Sequence, residues 1–344
     1  MATNPIGAGT GGYVLYIIKE STWGVAPTAR ANYFMLPAEP LSGLDNVMAV
    51  VDDLRRGQNI IGFNRMEGVH KTELPISTIA YPDQTGWFLV SIMGDDVLTG
   101  TGPYTHTFDV LSDIPTSATP SLTVAVVNDV LTGGNALVHT GVKVTGATFR
   151  FTTAEGFLTL ETSTVGKGAQ TATAAGLTGS FPTSEPSSND PLRGWEGFVT
   201  NGGGQLNGKI TECEIAVARE ADVIFAAGSS ADPNNKFADA VIHGMVGITG
   251  RLVAMFDNMN AVDLYRNFST DNLLIQFDNN VSGAGKRSLK FDVKKATYGE
   301  SPAEIDVSGN HMTIAFNFRG LYDGSSGKGL QVVLVNNKSV AYDV

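Results

Sequence analysis

The chain has 344 residues, of which 42% are hydrophobic, 17% are charged and 40 are glycine, so it can bury a large core and is neither disordered nor a coiled coil. Its net charge of −11 argues against a protein that grips nucleic acid by neutralising phosphates, because such binding needs an excess of lysine and arginine. Cys213 is the only cysteine, which excludes an intrachain disulfide and a zinc cage made of cysteines.

The N-terminal residues predict neither a membrane anchor nor an export signal. The longest early apolar run, residues 13–18, is far too short to span a bilayer, and the first twelve residues lack the basic and apolar blocks of a signal peptide. We expect synthesis in the cytoplasm and no membrane partner. Residues 7–12, GAGTGG, satisfy G-x-G-x-x-G, but no strand precedes them and no βαβ unit follows, so they do not predict nucleotide binding.

The stretch around Trp23 predicts an extended N-terminal arm over residues 1–32. Gly24 permits a bend and Pro27 stops a helix from continuing, so the segment is an extended chain with one large ring as its anchor. Trp23 packs either against the subunit's own sandwich or against a neighbour's. A tryptophan that fills the core of its own domain is the other interpretation.

Alternating apolar and polar residues predict strands through most of the chain. In residues 211–219, Cys213, Ile215 and Val217 share one face, and glutamates lie on the other. The same pattern recurs with Leu289, Phe291 and Val293, with Met312, Ile314, Phe316 and Phe318, and along residues 144–166, where Ala154, Glu155 and Gly156 predict a hairpin turn.

Two stretches have helical spacing instead, residues 83–94 and 258–270. Their polar starts, Thr85 and Asn260, predict the N-terminal caps. Each helix has about two to three turns.

These helices mark an internal repeat. In each copy a strand leads into the helix, a further strand follows, and a hairpin closes the unit at residues 142–165 or 288–320. We therefore predict a first unit at 33–165 and a second at 207–322. Residues 166–206, rich in Gly, Ala, Ser, Thr and Pro, form an extended linker, and 323–344 form a C-terminal arm.

No cluster of residues predicts catalysis, a cofactor or a metal site. The five histidines are scattered singly and show no metal-ligand spacing. The pairs Asp52-Asp53 and Asp95-Asp96 are adjacent, so their members point to opposite faces of a strand and do not form the paired carboxylates of a glycosidase. Cys213 lies on the apolar face of its strand, which predicts a buried, inert thiol. We therefore predict that the protein is not an enzyme.

Two stretches resemble the major tail tube proteins of long-tailed, siphovirus-type bacteriophages. "KESTWGVAPTARANYFMLPAEPLS", residues 19–42, is similar to the start of that family, where a Trp-Gly segment precedes the first core strand. "EGVHKTELPISTIAYPDQTGWFLVSIMGDD", residues 67–96, is similar to the strand and helix that follow. The layout of nearly the whole chain resembles the family as well. The resemblance implies a mainly β chain with two tandem tail-tube β-sandwich or barrel domains, each with one short flanking helix.

The resemblance also implies a function. The chain would be a structural virion protein that polymerises into stacked rings and forms the tail tube, the conduit for DNA ejection. Family members with two tube domains form trimers with pseudo-sixfold symmetry, whereas members with one form hexamers; the duplication favours the trimer. The implied partners are further copies of the chain, the tail tip and the tail terminator or tape measure proteins, and DNA that passes through the lumen without specific binding.

Two other functions stay open. One is another β-rich virion component, such as a capsid decoration or baseplate protein, which would share the composition without forming tubes. The other is a carbohydrate-active or carbohydrate-binding β protein, which would need exposed aromatic rings around a groove. Only three tryptophans are present, and Trp23 and Trp195 fall near the arm and the linker, which disfavours a sugar platform.

Within such a tube, two long loops are candidates for contacts between stacked rings, because apolar residues on long loops need burial. The alternative for each loop is a solvated hairpin whose charges pair with each other. The candidate residues are Val50, Val51, Asp52, Asp53, Arg55, Arg56, Ile60 and Ile61 in the first unit and Val223, Ile224 and Phe225 in the second.

Charge and strand edges suggest two further contacts between subunits. The one basic patch is either a solvated face or pairs with acidic residues of an adjoining subunit, and it consists of Lys286, Arg287, Lys290, Lys294 and Lys295. Pairing of edge strands between subunits predicts that proline at Ile215 or Phe316 abolishes assembly, unless those strands lie away from the interface.

Overall fold

The computed structural model describes residues 14–39, 46–52, 64–111, 119–127, 136–152, 156–182, 190–202, 206, 210–226, 236–255, 262–263, 266, 270–299, 304–307 and 312–343. In this part of the chain there are nineteen strands, one complete α-helix, α1 (Pro82–Met93), and short 3-10 helices at Arg30–Asn32, Gly194–Glu196 and Gly283–Gly285. The strands are β1 (Val14–Lys19), β2 (Phe34–Leu36), β3 (Asn46–Asp52), β4 (Asn64–Glu73), β5 (Ile76–Ile79), β6 (Val97–Thr99), β7 (Tyr104–Leu111), β8 (Leu122–Val127), β9 (Leu137–Thr152), β10 (Thr159–Gly166), β11 (Gly168–Thr171), β12 (Gly197–Asn201), β13 (Ile210–Ile224), β14 (Ala240–Met255), β15 (Thr270–Asp278), β16 (Ser288–Tyr298), β17 (Glu304–Asp306), β18 (Thr313–Leu321) and β19 (Lys328–Asn336). The prediction of a mainly β chain is confirmed.

The first half of the chain contains two antiparallel sheets that share the long strand β9. In one sheet, the back sheet, β2 pairs with β1, β1 with β8, and β8 with the first part of β9, which also pairs with β11. In the other, the front sheet, β3 pairs with β4, β4 and β5 pair with β10, and β10 pairs with the second part of β9.

The second half repeats this pairing order. Its back sheet runs β12–β15–β16–β19, and its front sheet runs β13–β14–β18–β16, so the long strand β16 takes the place of β9. The repeated order includes β1 and β11 of the first half and β12 and β19 of the second. Strands in the segments expected as arms and linker therefore complete the sheets.

Among the described strands, two pairings join the halves. β9 pairs with β13, which makes the two front sheets continuous. β19 pairs with β7, which forms a hairpin with β6 directly after α1. The C-terminal strand therefore belongs to the sheets of both halves.

One core fills the space between the sheets. Its buried side chains come from both halves, and Phe149, Ile215 and Phe291 are each at most 1% exposed. The strand predictions for residues 211–219 and 288–295 are confirmed by this burial. In the third pattern, Ile314, Phe316 and Phe318 are buried, but the prediction for Met312 is wrong: it precedes β18 and is 41% exposed.

The predicted first helix is confirmed as α1, but its predicted cap is wrong. The helix begins at Pro82, whose fixed φ suits the first helical position, and Thr85 lies inside the first turn with its hydroxyl donating to the Tyr81 carbonyl at 2.7 Å. Every residue of α1 except Asp83 is buried, as expected for a helix that is apolar nearly all round. In the segment predicted as the second helix, residues 262, 263 and 266 are helical, and Asn260 lies outside the described residues.

The expected effect of proline at Ile215 or Phe316 rested on edge strands, and that premise is wrong. β13 has β9 on one side and β14 on the other, while β18 has β14 on one side and β16 and β17 on the other. Both positions are inside a single chain's sheet, so proline there disrupts folding rather than a subunit contact.

Candidate assembly surfaces

The β9–β13 pairing forms a seam between the halves. Its register runs from Thr152 opposite Glu212 to Gly146 opposite Ala218. On the core side, Phe149 of β9 packs on Phe291 of β16 in the second half, with ring centroids 4.8 Å apart. The seam is therefore sealed by backbone pairing and by apolar packing together.

The other side of the seam faces solvent and carries arginine and glutamate side chains that alternate from strand to strand. Arg150 of β9 contacts Glu214 of β13 through Nε at 2.9 Å and Nη2 at 2.7 Å. Arg251 lies opposite Glu214 in the register and approaches Glu304 at 3.6 Å. Both arginines thus have a carboxylate neighbour. Thr148 lies on the same face as these residues, since it is two residues from Arg150.

Arg219 extends the seam to α1. Its Nη1 donates to the Ile92 carbonyl at 2.7 Å and its Nε donates to the Gly244 carbonyl at 3.2 Å. Ile92 is in the last turn of α1, where the helix dipole favours a cation. Burial lowers the pKa of the Arg219 guanidinium. His243, whose Nδ1 is 2.8 Å from the Thr119 hydroxyl, has its pKa lowered to about 3 by burial and then by nearby Lys143 and Arg219.

The C-terminal residues lock onto α1 through Tyr342. Its fully buried ring lies against Gly86, where an added Cβ would sit 2.2 Å from ring atoms, so glycine makes the notch. The Tyr342 hydroxyl donates to the Asp83 carbonyl at 2.8 Å and accepts from Asn336 Nδ2 at 2.9 Å. Lys338 places its ammonium group over the rings of Tyr342, Trp87 and Phe34 at 4.8, 5.0 and 5.4 Å.

Two buried polar side chains, Asp96 and His106, support this contact between the C-terminal residues and α1, which we call the C-terminal lock. Asp96 Oδ2 accepts the Tyr342 amide at 2.7 Å and contacts His106 Nδ1 at 2.8 Å, and His106 Nε2 is 3.0 Å from the Lys338 carbonyl. The Asp96 and His106 side chains are 0% exposed. Asp96, one of the adjacent aspartates rejected as catalytic in the sequence, therefore holds the C-terminal segment in place.

Glu20 organises the start of the chain. Its buried carboxylate accepts four hydrogen bonds: from the Gly24 amide at 2.8 Å, the Gly141 amide at 2.8 Å, the Ser121 hydroxyl at 2.6 Å and the Thr123 hydroxyl at 2.7 Å. Each carboxylate oxygen takes one amide and one hydroxyl. Burial raises the pKa of Glu20, and these four bonds oppose that shift.

Trp23 lies in the bend that Glu20 holds, on its own chain. Gly24 has φ +69, the left-handed conformation that glycine adopts without strain. The Trp23 ring lies against Gly141 of β9, where an added Cβ would be 3.0 Å from the indole, and Lys167 lies over it at 5.6 Å. The Trp23 side chain is half-buried.

The linker also packs on the first half. A second apolar cluster covers the outer side of β1 and β8, with Tyr16 stacked on Phe181 at 4.5 Å and Tyr33 at its edge at 5.4 Å. Ala172 and Leu177 belong to the same cluster. Residues 168–181 therefore lie on the chain's own sheet.

The structure describes the predicted ring-contact residues only in part. Val50, Val51 and Asp52 end β3 and pair with Met66, Arg65 and Asn64, while Asp53, Arg55, Arg56, Ile60 and Ile61 lie outside the described residues. In the second half, Val223 and Phe225 are half-buried and Ile224 is 40% exposed. Val223 and Ile224 form the end of β13, on a hairpin with β14 that extends past the seam.

Three of the five residues of the basic patch approach carboxylates of the same chain. Arg287 approaches Asp190 at 3.1 Å and Glu196 at 3.7 Å, and Lys294 approaches Asp292 at 2.6 Å. Lys286 lies 3.7 Å from Asp278. These pairs weaken the case for this patch as a contact with acidic residues of another subunit.

No enzyme-like site emerges from the described residues. Cys213 is buried, and burial raises the pKa of its thiol. Nowhere in the described part of the chain do three His, Cys, Asp or Glu side chains come together in a way that could hold a metal ion. Among the same residues, no helix has the length and apolar character needed to cross a membrane.

Sequence reasoning missed Glu20, Tyr342 and Lys338. Glu20 lies inside a polar stretch, so its burial has no periodic signal. A glycine in the middle of the apolar α1 pattern, Gly86, was the one available hint, because such a glycine often marks a close approach. Nothing in the pattern identified which residue approaches it.

A comparison with protein families agrees with this architecture. The family model described as "Phage tail tube protein" matches residues 13–320. No curated protein matches the chain.

Proposed function

Because the chain belongs to the phage tail tube protein family, it is a structural component of the phage tail tube, and we propose that three copies close each ring of that tube. Each copy would contribute two tube units, 33–165 and 207–322, completed by strands from the arms and linker. Stacked rings then form the conduit for DNA ejection. The protein would be made in the host cytoplasm and incorporated into the virion tail.

The observation that carries the proposal is the seam inside one chain. The last front-sheet strand of the first half, β9, pairs with the first front-sheet strand of the second half, β13. The halves repeat the same pairing order, so a similar joint between the end of β16 in one copy, at Tyr298 past its pairing with β15, and β3 of the next would continue the sheet. Three copies would then close six similar units into a ring with no free strand edge.

The solvent face of the front sheet suits the wall of a DNA conduit. The seam arginines Arg150 and Arg251 have Glu214 and Glu304 beside them, so their charge is compensated before DNA arrives. DNA phosphates gain little binding free energy from arginines that already have a carboxylate beside them. We propose that this face lines the lumen.

The proposed lumen has a direct test. Glu214→Gln together with Glu304→Gln removes a compensating negative charge beside each arginine and should make the tubes bind DNA more tightly than unmodified tubes do, with affinity that falls as salt rises. Binding of labelled duplex DNA to open tubes, measured by co-sedimentation, reports this. Glu39→Gln, at an exposed position after β2, is the control. Equal DNA binding by all three tube samples would contradict the assignment of this face.

Further contacts follow from the same role. Trp23 would anchor the N-terminal arm on its own sandwich, and the loops with Val50, Val51, Asp52, Asp53, Arg55, Arg56, Ile60, Ile61, Val223, Ile224 and Phe225 would contact the neighbouring ring. Other partners of the tube would be the tail tip and the tail terminator or tape measure proteins.

The experiment that tests ring composition is electron microscopy of the purified protein combined with native mass spectrometry. We expect hollow tubes with regular axial striations, threefold symmetry in end-on averages, and rings that contain three chains of 36.2 kDa each. Rings of six chains would refute the two-unit proposal. Discrete particles that never stack under any condition would refute the tube.

A further inference from the structure

The front sheet of the second half has two ends along its strands, and large apolar side chains are exposed at both. We call the first the hairpin end, residues 221–226 and 240–246, where β13 and β14 extend past the seam. The second, the far end, comprises residues 253–255, 304–307 and 312–313, where β14, β17 and β18 meet.

At the hairpin end, Met245 is 78%, Ile242 54% and Ile224 40% exposed. Ile242 pairs with Asp222 and Ile224 with Ala240, so the two isoleucines are diagonal neighbours on one face. The register shifts between Arg219 and Ala221, which leaves Met245 in a bulge. Bulges turn a side chain away from the regular sheet direction. Met245 is therefore presented to solvent by the backbone itself.

At the far end, four apolar side chains surround Thr313. Met255 lies opposite Thr313 on one side, and Asp306 lies opposite it on the other, between Ile305 and Val307. Met312 precedes Thr313 in the chain. The exposed fractions are 43% for Met255, 51% for Ile305, 65% for Val307 and 41% for Met312.

Between the two ends, the solvent face is polar or small. Gly247, Thr249 and Arg251 of β14 and Asn317 and Arg319 of β18 are exposed there. Large exposed apolar side chains of this sheet are thus gathered in two patches; in the far-end patch Met255 extends from the solvent face, while Ile305, opposite the buried Ile314, extends from the core-side face. The patches lie at opposite ends of the same strands.

We propose that the far end of one copy packs on the hairpin end of the copy in the next ring, so that the two patches bury each other. This inference rests on the proposed tube. A repeat unit with different complementary patches at its two ends associates head to tail and does not close, which is what an open-ended tube needs. A single exposed patch would be covered by one partner and would stop growth.

The strand length sets the spacing of the rings. β14 has 16 residues and carries a patch at each end. At about 3.3 Å per residue and a barrel tilt of about 35–45°, it spans roughly 35–40 Å along the tube axis. The axial repeat of the tube should therefore be roughly 35–40 Å.

The test uses copies blocked at one end. Met245→Asp blocks the hairpin end, and Val307→Asp blocks the far end; both side chains are exposed, so the fold tolerates the change. Val97→Asp is the control, because Val97 is 49% exposed but lies on β6, outside the front sheet. Each blocked variant should form rings, with pelletable tubes reduced at least about tenfold because burying an unpaired carboxylate is costly. The control should form tubes like the unmodified chain.

A mixture of the two blocked variants gives the decisive result. A free far end of one variant meets a free hairpin end of the other, so an equal mixture should form stacks of two rings and no longer particles. Stacks of two rings in either variant alone would mean that like ends pair, which overturns the head-to-tail arrangement. Full-length tubes from Met245→Asp or from Val307→Asp would overturn the patches as the contact.

A second pair keeps the test independent of one side chain. Ile242→Asp and Ile305→Asp should behave as the first pair does, with folding checked by circular dichroism. Failure of the unmodified chain to form tubes would refute the proposed function instead. Intact tubes from blocked variants would refute this inference and leave the tube function standing.

Discussion

At Gly86 of α1 we predict that alanine lowers the free energy of unfolding, although helix propensity alone would raise it. Replacing a helical glycine by alanine ordinarily stabilises a helix, by about 1 kcal/mol. At Gly86, the new Cβ would lie 2.2 Å from Tyr342 Cε2 and Cζ, so the ring has to leave. Gly86→Ala therefore tests whether the C-terminal lock stabilises the whole protein.

The magnitude follows from what Tyr342 loses. Removing a fully buried aromatic ring from a core costs about 3–5 kcal/mol, and the propensity gain of about 1 kcal/mol offsets part of it. Gly86→Ala should thus lower the free energy of unfolding by about 2–4 kcal/mol. In a Tyr342→Ala background the notch is empty, and the same substitution should raise the free energy of unfolding by about 0.5–1 kcal/mol.

Urea unfolding of the unassembled chain measures all four combinations. Tryptophan fluorescence is a suitable signal, since Trp87 packs edge-on against Tyr342 at 5.1 Å. Limited proteolysis should cut the C-terminal segment faster in Gly86→Ala than in the unmodified chain. If Gly86→Ala has the same sign in both backgrounds, the reasoning is refuted.

Three further predictions concern folding and pH. Glu20→Gln should lower the free energy of unfolding by about 1–3 kcal/mol. Each carboxylate oxygen of Glu20 accepts one backbone amide, so either orientation of the glutamine amide leaves one backbone N–H unpaired. Glu39→Gln is the control, and an unchanged free energy of unfolding in Glu20→Gln would contradict the role of the Glu20 hydrogen bonds. A double-mutant cycle with Arg150→Ala and Glu214→Ala should give a coupling free energy below about 1 kcal/mol, since both side chains are at least one-third exposed. A larger coupling would show that water is excluded from this ion pair. Burial lowers the pKa of His139 to about 4. As pH falls, this imidazole is therefore protonated at a higher pH in the unfolded chain than in the folded chain. As pH falls from about 6.5 to about 4, stability should therefore be lost at up to about 1.4 kcal/mol per pH unit, and His139→Gln should reduce that slope in urea titrations; an unchanged slope would assign it to other groups.

Much of the fold could be predicted from local pattern. The alternation at Cys213, Ile215 and Val217 identified a strand and its buried face, because side chains on a strand alternate between two sides whatever that strand pairs with. The apolar run from Trp87 to Met93 identified α1 for a similar reason. The cap at Thr85 was misplaced since proline at the first helical position serves without a side-chain cap.

The site depended on contacts that no local pattern encodes. Glu20 is joined to Ser121, Thr123 and Gly141, about a hundred residues away, and Tyr342 is joined to Gly86 over a still longer separation. The residues next to a carboxylate in the sequence do not show whether its side chain is buried or exposed. Only the fold decides which one has its donors in reach.

The sequence by itself determined the mainly β character of the chain, helix α1 and the buried faces of strands such as β13 and β16, since those depend on residue periodicity; it did not identify the strands in the predicted arms and linker. Only the tertiary structure decided that β9 and β13 join the two halves, that the C-terminal strand returns to the first half beside β7, and that exposed apolar side chains gather at two opposite ends of one sheet. The physical reason is that strand pairing and surface patches are made between residues distant in sequence, and their partners are selected by the packing of the whole chain.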